Sequence, residues 1–354
     1  MILDLKNIFK KRTKGIAAAA ILVGVFSLFS RFLGIFRDRI LAGQFGAGQE
    51  LDAYYSAFRI PDLIYNLIVL GALSAGFIPV FSNLIKRMRC DENYYFCSSK
   101  SENKEAWDLV SNILNILTLA LLFLSLIGAV FAPSLVSLIA PGFSPELKAT
   151  TVAMTRIMFF SPVFLGVSSI LGGVLQSFKN FLVFSLAPIF YNLGIICGAI
   201  FFVPVLGISG LACGVVLGAF MHMIIQVPPV KALGFSWKAF INFYDHNLRK
   251  ILLMMVPRTL SLAIAQINLL VITIIASTLS SGSLAVFNFA NNLQSFPIGI
   301  FGISFAVAAF PTLAASAFDQ KKLINNFSYA LRQILFFIIP STVLLITLRA
   351  QIIR

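Results

Sequence analysis

Apolar residues fill most of the chain in long runs that recur from one end to the other. The runs lack the period-two alternation of membrane barrel strands, and many exceed the roughly 20 residues that a helix needs to cross a bilayer. The pattern therefore predicts an all-α polytopic membrane protein. Nine spans are expected, at residues 16–43, 55–85, 108–140, 147–177, 181–203, 207–230, 250–279, 284–315 and 323–348.

The composition supports this fold class. Hydrophobic residues make up 59% of the 354 residues and charged residues 11%, with a mean hydropathy of +0.93. A soluble globular domain is about 25% charged, so the chain is far more apolar than that class. A net charge of +14 would suggest a nucleic-acid partner in a soluble protein, but here we expect membrane lipids and no nucleic acid.

The basic residues are distributed unevenly between the predicted loops. Of the 27 lysines and arginines, 17 lie in the amino-terminal tail or after spans two, four, six and eight. The opposite loops contain only Lys148, apart from Arg349 and Arg354 near the last residue. Loops rich in lysine and arginine face the cytoplasm, so nine alternating spans place the amino terminus in the cytoplasm.

Seven basic residues remain within the predicted spans, and all seven are arginines. They are Arg31, Arg37, Arg39, Arg59, Arg156, Arg258 and Arg332. The same spans contain only two acids, Asp38 and Asp62. A charge at the centre of a membrane helix costs about 2.5–3.5 kcal/mol on insertion scales, so such residues indicate a functional interior.

The first span carries these charges on one helical stripe. Steps of three and four residues connect Gly24, Ser27, Arg31, Gly34 and Asp38. Arg37 lies beside this stripe. A stripe of small and charged residues avoids lipid, so it predicts a face toward other helices or a hydrated cavity. The alternative is that Arg31 and Asp38 form a structural ion pair that joins helices.

Two other spans have polar faces that would line the same cavity. The second span places Arg59, Asp62 and Asn66 at steps of three and four, and the eighth places Asn288, Asn291, Asn292 and Ser295 on a polar face. Arginine keeps its charge and binds phosphate through two parallel hydrogen bonds. The arginine excess therefore predicts an anionic, phosphorylated cargo, with Asp38 and Asp62 as ion-pair or structural partners.

A weak internal repeat suggests two lobes. The second and eighth spans both begin with aromatic residues and end near a proline, and repeated helical bundles with a site between them are common in transporters. We expect a cytoplasmic basic tail at 1–15, an N-lobe of six spans at 16–233, a cytoplasmic linker at 234–249 and a partial C-lobe of three spans at 250–354.

Several segments resemble the MurJ/MviN family of lipid II flippases. The most specific is SRFLGIFRDRILAGQFGAGQELDAYYSAFRIPDLIYNLIVLGALSAGFIPVF, and APGFSPE, GGVLQSFKNFLVFSLAPIFYNLGII and SFPIGIFGISFAVAAFPTL also match. The resemblance implies the fold of the multidrug/oligosaccharidyl-lipid/polysaccharide exporter superfamily, with two lobes around a central cavity. It also implies a location in the bacterial cytoplasmic membrane.

The resemblance implies the cargo and part of the site. The cargo would be lipid II, an undecaprenyl-pyrophosphate-linked disaccharide peptide, moved to the outer leaflet by alternating access. Ser30, Arg31, Arg37 and Asp52 match positions that the family uses in or beside its cavity. Four charged positions of the family are instead occupied here by Tyr65, Leu70, Asn292 and Ser295. Arg59 and Arg258 are expected to supply some of the missing positive charge, with Asn292 remaining a candidate substrate contact.

The number of spans also differs from the family pattern. The family usually has fourteen spans, so nine spans imply a C-lobe that lacks its last helices, with a second polypeptide as a candidate source of them. An inactive fragment or scaffold, or an exporter of another lipid-linked glycan, remains an alternative. We expect no cofactor, metal or enzymatic activity, because the chain has only two histidines and no DxD-like metal pair.

Overall fold

The computed structural model describes residues 16–70, 76–87, 100–303, 309, 313, 319–349 and 351. Within these ranges the regular secondary structure is entirely helical, which confirms the predicted all-α class. The amino-terminal tail at 1–15, residues 71–75 within the second span and most of the exit of the eighth span lie outside the described residues.

Fourteen α-helices are described in chain order. They are α1 Ile16–Phe45, α2 Gln49–Tyr65, α3 Ile78–Arg87, α4 Lys100–Val130, α5 Ala132–Ile139, α6 Pro145–Met158, α7 Phe160–Ser177, α8 Phe181–Cys197, α9 Val203–Leu206, α10 Ser209–Ile224, α11 Val227–Ala232, α12 His246–Ser277, α13 Ser283–Pro297 and α14 Gln320–Thr347. Short π-helical segments occupy Asn66–Leu70, Gly198–Phe202 and Ile298–Ile303.

Six helical stretches among the described residues are long and apolar enough to cross a membrane. They are Lys104–Val130, Pro145–Ser177, Phe181–Leu206, Ser209–Ala232, His246–Ser277 and Gln320–Thr347. They correspond to predicted spans three to seven and nine. The first predicted span is the continuous helix α1, and the second and eighth include residues 71–75 and 304–308, which lie outside the described ranges. The count of nine therefore stays a prediction.

Glycines allow α8 and α10 to pack closely. A Cβ atom at Gly194 would overlap the backbone of Gly218, and one at Gly198 would overlap the backbone of Gly214. Small residues at such crossings let membrane helices approach closely and gain van der Waals contact. This contact matters because the hydrophobic effect does not drive helices together inside a bilayer. This glycine contact fixes α8, whose other face packs against α1.

An aromatic cluster joins α3, α4 and the end of α7. Phe77 stacks on Phe81 with ring centroids 5.2 Å apart, and Trp107 stacks on Phe178 at 5.8 Å. Phe81 of the first pair also contacts Trp107 of the second, with ring centroids 6.0 Å apart. The rings bury large apolar surfaces and hold these helices together.

Regular helix gives way to π-helical turns near two prolines, Pro61 and Pro297. Asn66–Leu70 follows α2, which contains Pro61, and Ile298–Ile303 directly follows Pro297. Proline removes a backbone hydrogen bond within a helix, and π turns often mark functional positions. Pro311 lies outside the described residues.

The chain divides into two compact units, Met1–Ala285 and Val286–Arg354. The first contains α1 to α12 and the first residues of α13. In the second, Phe301 stacks on Phe337 of α14 at 4.9 Å. The connection between α11 and α12 is non-helical up to Asp245, so the last residues of the expected linker 234–249 already belong to α12. The lobe boundaries stay a prediction.

Candidate functional site

Arg37, on the predicted cavity face, is held by three side-chain hydrogen bonds. Its Nε and Nη2 atoms donate to Oδ1 of Asp38 at 3.0 and 2.7 Å, and its Nη1 atom donates to Oδ1 of Asn192 at 3.1 Å. The side chains of Arg37 and Asp38 are 19% and 11% exposed. A guanidinium carries five N–H groups, and these contacts use three. Within the described part of the chain, about two N–H groups thus remain for another ligand.

Asn192 on α8 joins two predicted site residues on α1. While its amide oxygen accepts from Arg37, its Nδ2 atom lies 3.4 Å from Oγ of Ser30 and donates to the carbonyl of Pro188 at 3.1 Å. Gly34 lies on the same face, where an added Cβ would be 3.9 Å from the Asn192 amide oxygen. The buried amide therefore fixes the orientation of Arg37 relative to Ser30.

Three tyrosines are near enough to this cation to interact with it electrostatically. Tyr54 and Tyr55 on α2 are buried and close enough to Arg37 to interact with it electrostatically. Tyr191 on α8 interacts electrostatically with both Arg37 and Asp62. The site therefore combines one oriented guanidinium with polar groups from α1, α2 and α8.

The rest of the predicted α1 stripe is less covered within the first unit. Arg31 and Gly34 are half-buried, whereas Gly24 and Ser27 are exposed. Arg31 interacts with other described residues. Asp38, the predicted partner of Arg31 in the structural alternative, forms its ion pair with Arg37.

Asp52 has a different environment from the arginines. Its side chain is buried at 4% exposure, and its two oxygens accept from the backbone amides of Gly282 and Ala285 at 2.6 and 2.8 Å. These amides belong to the start of α13. A carboxylate at a helix amino terminus satisfies free N–H groups and complements the helix dipole. Asp52 thus connects α2 to α13 at the end of α1.

Two glycines support the same junction. Gly282 has φ of +89°, and a Cβ there would overlap the carbonyl of Ala47 in the turn after α1. The amide of Gly142 donates to Oγ of Ser277 at 3.4 Å, at the end of α12. The end of α12 and the start of α13 therefore pack tightly against the loops of the earlier helices.

Arg59 connects α2 to α12. Its Nε atom donates to Oγ1 of Thr273 at 2.8 Å, and its charge interacts with Asp62 one turn away. Thr273 is fully buried and donates back to the carbonyl of Leu269. This arrangement gives Arg59 a structural contact on the same side of the unit as Asp52.

The sequence departs from the family pattern at four positions: Tyr65 and Leu70 belong to the first unit, and Asn292 and Ser295 belong to the second. The hydroxyl groups of Tyr65 and Ser169 are 2.9 Å apart, which joins α2 to α7. Leu70 ends the π-helical segment. Asn292 and Ser295 belong to the second unit, where Ser295 donates to the carbonyl of Asn291. Arg258 is exposed on α12.

Sequence reasoning missed Asn192 because it looked for charged residues and for stripes of several polar residues, and Asn192 is a single amide in its helix. A lone amide in the apolar run FLVFSLAPIFYNLGIIC is itself a signal, since an unpaired polar group in a membrane helix is costly. A second buried network was also missed: Oγ of Ser168 lies 2.6 Å from Nδ1 of His222 and 2.5 Å from Nε2 of Gln226. This network connects α7 with α10 and α11.

Comparison with known proteins supports the resemblance noted from the sequence. The sequence profile described as "Lipid II flippase MurJ" matches residues 41–354. The chain belongs to the MurJ family. A lipid II flippase MurJ of Burkholderia cenocepacia is 31% identical over 309 residues, which cover 85% of this chain and 57% of that protein. A probable lipid II flippase MurJ of Buchnera aphidicola subsp. Acyrthosiphon pisum is 32% identical over 342 residues, which cover 94% of this chain and 63% of that protein.

Solved structures show the same architecture. A structure titled "Lipid II flippase MurJ, inward closed conformation" matches with a TM-score of 0.73 and 26% identity, covering 93% of this chain and 65% of that one. An inward-facing multidrug resistance MATE family transporter matches with a TM-score of 0.69 and 16% identity, covering 94% of this chain and 74% of that one. The second match shows the fold alone. This MurJ-family chain thus spans about three fifths of the length of the two curated relatives.

The described residues contain no group of three or more His, Cys, Asp or Glu side chains that could hold a metal ion. Membership in the MurJ family and the apolar helices make the chain a multi-pass protein of a bacterial membrane.

Proposed function

We propose that this chain provides the anion-binding part of a lipid II flippase, with Arg37 as the central contact for the pyrophosphate. The observation that carries the proposal is the restraint of Arg37 by Asp38 and Asn192, which leaves donors available in a largely buried position. The names of the relatives supply the cargo class.

The energetic argument concerns the head group. A pyrophosphate loses strong hydration when it leaves water, and this loss must be replaced by charged donors. An oriented guanidinium can donate two parallel hydrogen bonds to phosphate oxygens. Asp38 offsets part of the charge of Arg37 in the empty site and so reduces the cost of holding it inside the membrane. Ser30 and Arg31 would contact the same head group.

We further propose alternating access as the transport mechanism. The cargo head enters from the cytoplasmic side while its polyprenyl tail stays in lipid, and the two lobes then rock to open the opposite side. The contacts of Asp52 and Arg59 with the end of α12 and the start of α13 would hold the outer side closed. Their release would accompany opening toward the outer leaflet.

Orientation in the inner membrane follows from the basic residues and is part of the proposal. The amino terminus would face the cytoplasm, as the positive-inside rule predicts. Reporter fusions after α11 and after α12 test it. A cytoplasmic signal after α11 with an outer signal after α12 is the expected result, and the reverse pattern would refute the orientation.

Arg59 and Arg258 would add positive charge to the path of the head group. In a flipping assay, Arg258→Ala and Arg31→Ala are both expected to lower the rate. Full activity of Arg258→Ala beside loss in Arg31→Ala would remove Arg258 from the site.

The central experiment compares Arg37→Lys and Arg37→Ala with Arg156→Ala. Arg156 is an exposed arginine on α6 whose Nε donates to the carbonyl of Ala129, so it controls for the loss of an arginine elsewhere. Binding of lipid II to the purified chain is measured by native mass spectrometry, and function by complementation of a bacterium depleted of its own flippase.

Both Arg37 variants are expected to weaken lipid II binding by about tenfold or more, because hydrogen bonds to charged groups contribute about 1.5–3 kcal/mol. Lysine cannot replace the planar fork, so Arg37→Lys should recover little. Unchanged binding in Arg37→Ala would overturn the proposed contact. Equal competition by a lipid-linked glycan without the peptide would favour the alternative cargo class.

A further inference from the structure

A cavity separate from the arginine cluster lies where the connection between α11 and α12 crosses α4. Its volume is about 610 Å³, within the range of small-molecule sites. It is lined by Leu114, Asn115, Thr118 and Leu119 of α4, Val167 of α7, and Trp237, Ala239, Phe240 and Ile241 of the connection. We call this cavity the α4 groove.

The wall of the α4 groove is held in place by side chains of α4. Asn112 exchanges two hydrogen bonds with the backbone of Asn242, both at 2.8 Å. Asn115 donates to the carbonyls of Lys238 and Phe240 at 2.7 and 2.8 Å and accepts from Nε1 of Trp237 at 2.8 Å. Lys238 also pairs with Asp108. These bonds satisfy the polar groups of the wall and leave apolar side chains as the main lining.

One end of the α4 groove continues into a lipid-facing surface. Leu119 lines the groove and is 52% exposed, and Leu122, Phe123 and Leu126 follow on the same helical face with exposures of 45%, 64% and 66%. A wholly apolar exposed face on a membrane-spanning helix contacts acyl chains. An acyl chain on this face can therefore extend directly into the groove.

The other end carries aromatic and basic residues. Trp237, Phe243 and Tyr244 are largely exposed, and the guanidinium of Arg249 lies 5.8 Å from the centre of the Tyr244 ring. Exposed aromatic and basic residues of this kind are typical of the level of lipid head groups, where basic residues attract anionic lipids. The groove is thus apolar at one end, and beyond its other end lie the basic residues Lys238, which is paired with Asp108, and Arg249.

We propose that the α4 groove binds one anionic phospholipid, with an acyl chain beside Leu119 and Ile241 and its head group near Lys238 and Arg249. The site shares no residue with the Arg37 cluster, so it is distinct from the proposed cargo site. Its occupant would belong to the surrounding bilayer and would secure the connection between α11 and α12 against α4.

The two tryptophans of the chain allow a direct test. Trp107 is 9% exposed in the aromatic cluster, whereas Trp237 borders the groove. In Trp107→Phe, emission therefore reports on Trp237 alone. The protein is reconstituted in phosphatidylcholine with increasing fractions of phosphatidylglycerol brominated in its acyl chains, and quenching is compared with that by brominated phosphatidylcholine.

Half-maximal quenching is expected at about fivefold lower mole fraction for phosphatidylglycerol than for phosphatidylcholine. This is the preference that one basic residue near the head group predicts, here Arg249, because Lys238 is already paired with Asp108. Ala239→Phe fills the groove and should remove this preference, whereas Ala149→Phe adds the same side chain at an exposed position on α6 and should keep it. Equal quenching by the two lipids, or an unchanged preference in Ala239→Phe, would overturn the proposal.

A second measurement does not depend on Trp107→Phe. Native mass spectrometry of the unsubstituted chain, released from bilayers that contain phosphatidylglycerol, should show one retained lipid. Ala239→Phe should lose it and Ala149→Phe should retain it. Absence of a retained lipid, or retention of phosphatidylcholine to the same extent, would contradict a selective site.

Discussion

Asn192 accepts a hydrogen bond from Nη1 of Arg37 at 3.1 Å, while its Nδ2 atom lies 3.4 Å from the hydroxyl of Ser30. One amide therefore fixes two α1 side chains from the neighbouring helix α8. Asp38 already offsets part of the charge of Arg37, so a second acid at position 192 would compete further with an anionic cargo, whereas the amide orients the guanidinium without reducing its charge further.

Asn192→Ala is expected to weaken lipid II binding by roughly fivefold to tenfold, because Arg37 loses one fixed contact of about 1–1.5 kcal/mol. Titration of the purified variant with lipid II measures this. Ser82→Ala, which removes a hydrogen bond to Ser177 between α3 and α7, is the control and should bind normally. In the Arg37→Ala background, Asn192→Ala should have little additional effect. Full additivity of the two substitutions would show that Asn192 does not act through Arg37.

Asp52→Asn should loosen the junction between α2 and α13. The carboxylate accepts from the amides of Gly282 and Ala285, and an asparagine keeps only one acceptor oxygen for them. The unsatisfied amide costs about 1–3 kcal/mol, so the open state should be populated about tenfold more. The measurement is labelling of Ala285→Cys, a fully buried position, by a membrane-impermeant maleimide after replacement of the four native cysteines.

The control for that experiment is Glu50→Gln, an exposed acid in the first turn of the same helix. It removes the same charge without touching the two amides, so the labelling rate should not change. Equal acceleration by both substitutions would assign the effect to net charge instead of to the hydrogen bonds of Asp52.

Gly282→Ala should destabilise the protein more than Gly46→Ala does. Both glycines have positive φ, +89° and +62°, so alanine introduces backbone strain of about 1 kcal/mol at either position. Only at Gly282 would the new Cβ also overlap the carbonyl of Ala47, whereas the space beside Gly46 is open. Thermal unfolding in detergent should show the larger loss of Tm for Gly282→Ala. Equal losses would mean that the contact with Ala47 relaxes without cost.

The sequence was sufficient for the fold class, because long apolar runs are a local signal, and its embedded charges directed attention to the first helix. It left open a structural pair between Arg31 and Asp38, and it did not foresee that Asp38 also pairs with its neighbour Arg37. Helical spacing cannot decide this, since adjacent side chains can meet when one is as long as arginine. The contacts of Asp52 were also beyond sequence reasoning, as its partners Gly282 and Ala285 are backbone amides distant along the chain.

The close contact between α8 and α10 gives a final prediction about stability. Gly198→Ala places a methyl group against the backbone of Gly214, where helix backbones meet, so the helices must separate or shift. Such overpacking costs about 1–3 kcal/mol.

Gly43→Ala is the matched control, since its helical position on α1 has open space beside the added Cβ and alanine favours helix over glycine by about 1 kcal/mol. Thermal unfolding should therefore show a lower Tm for Gly198→Ala and an unchanged or higher Tm for Gly43→Ala. A separation of α8 from α10 would also displace Asn192, so Gly198→Ala should weaken lipid II binding through Arg37 as well. Normal stability of Gly198→Ala would show that the glycine contact is not needed to hold α8 in place.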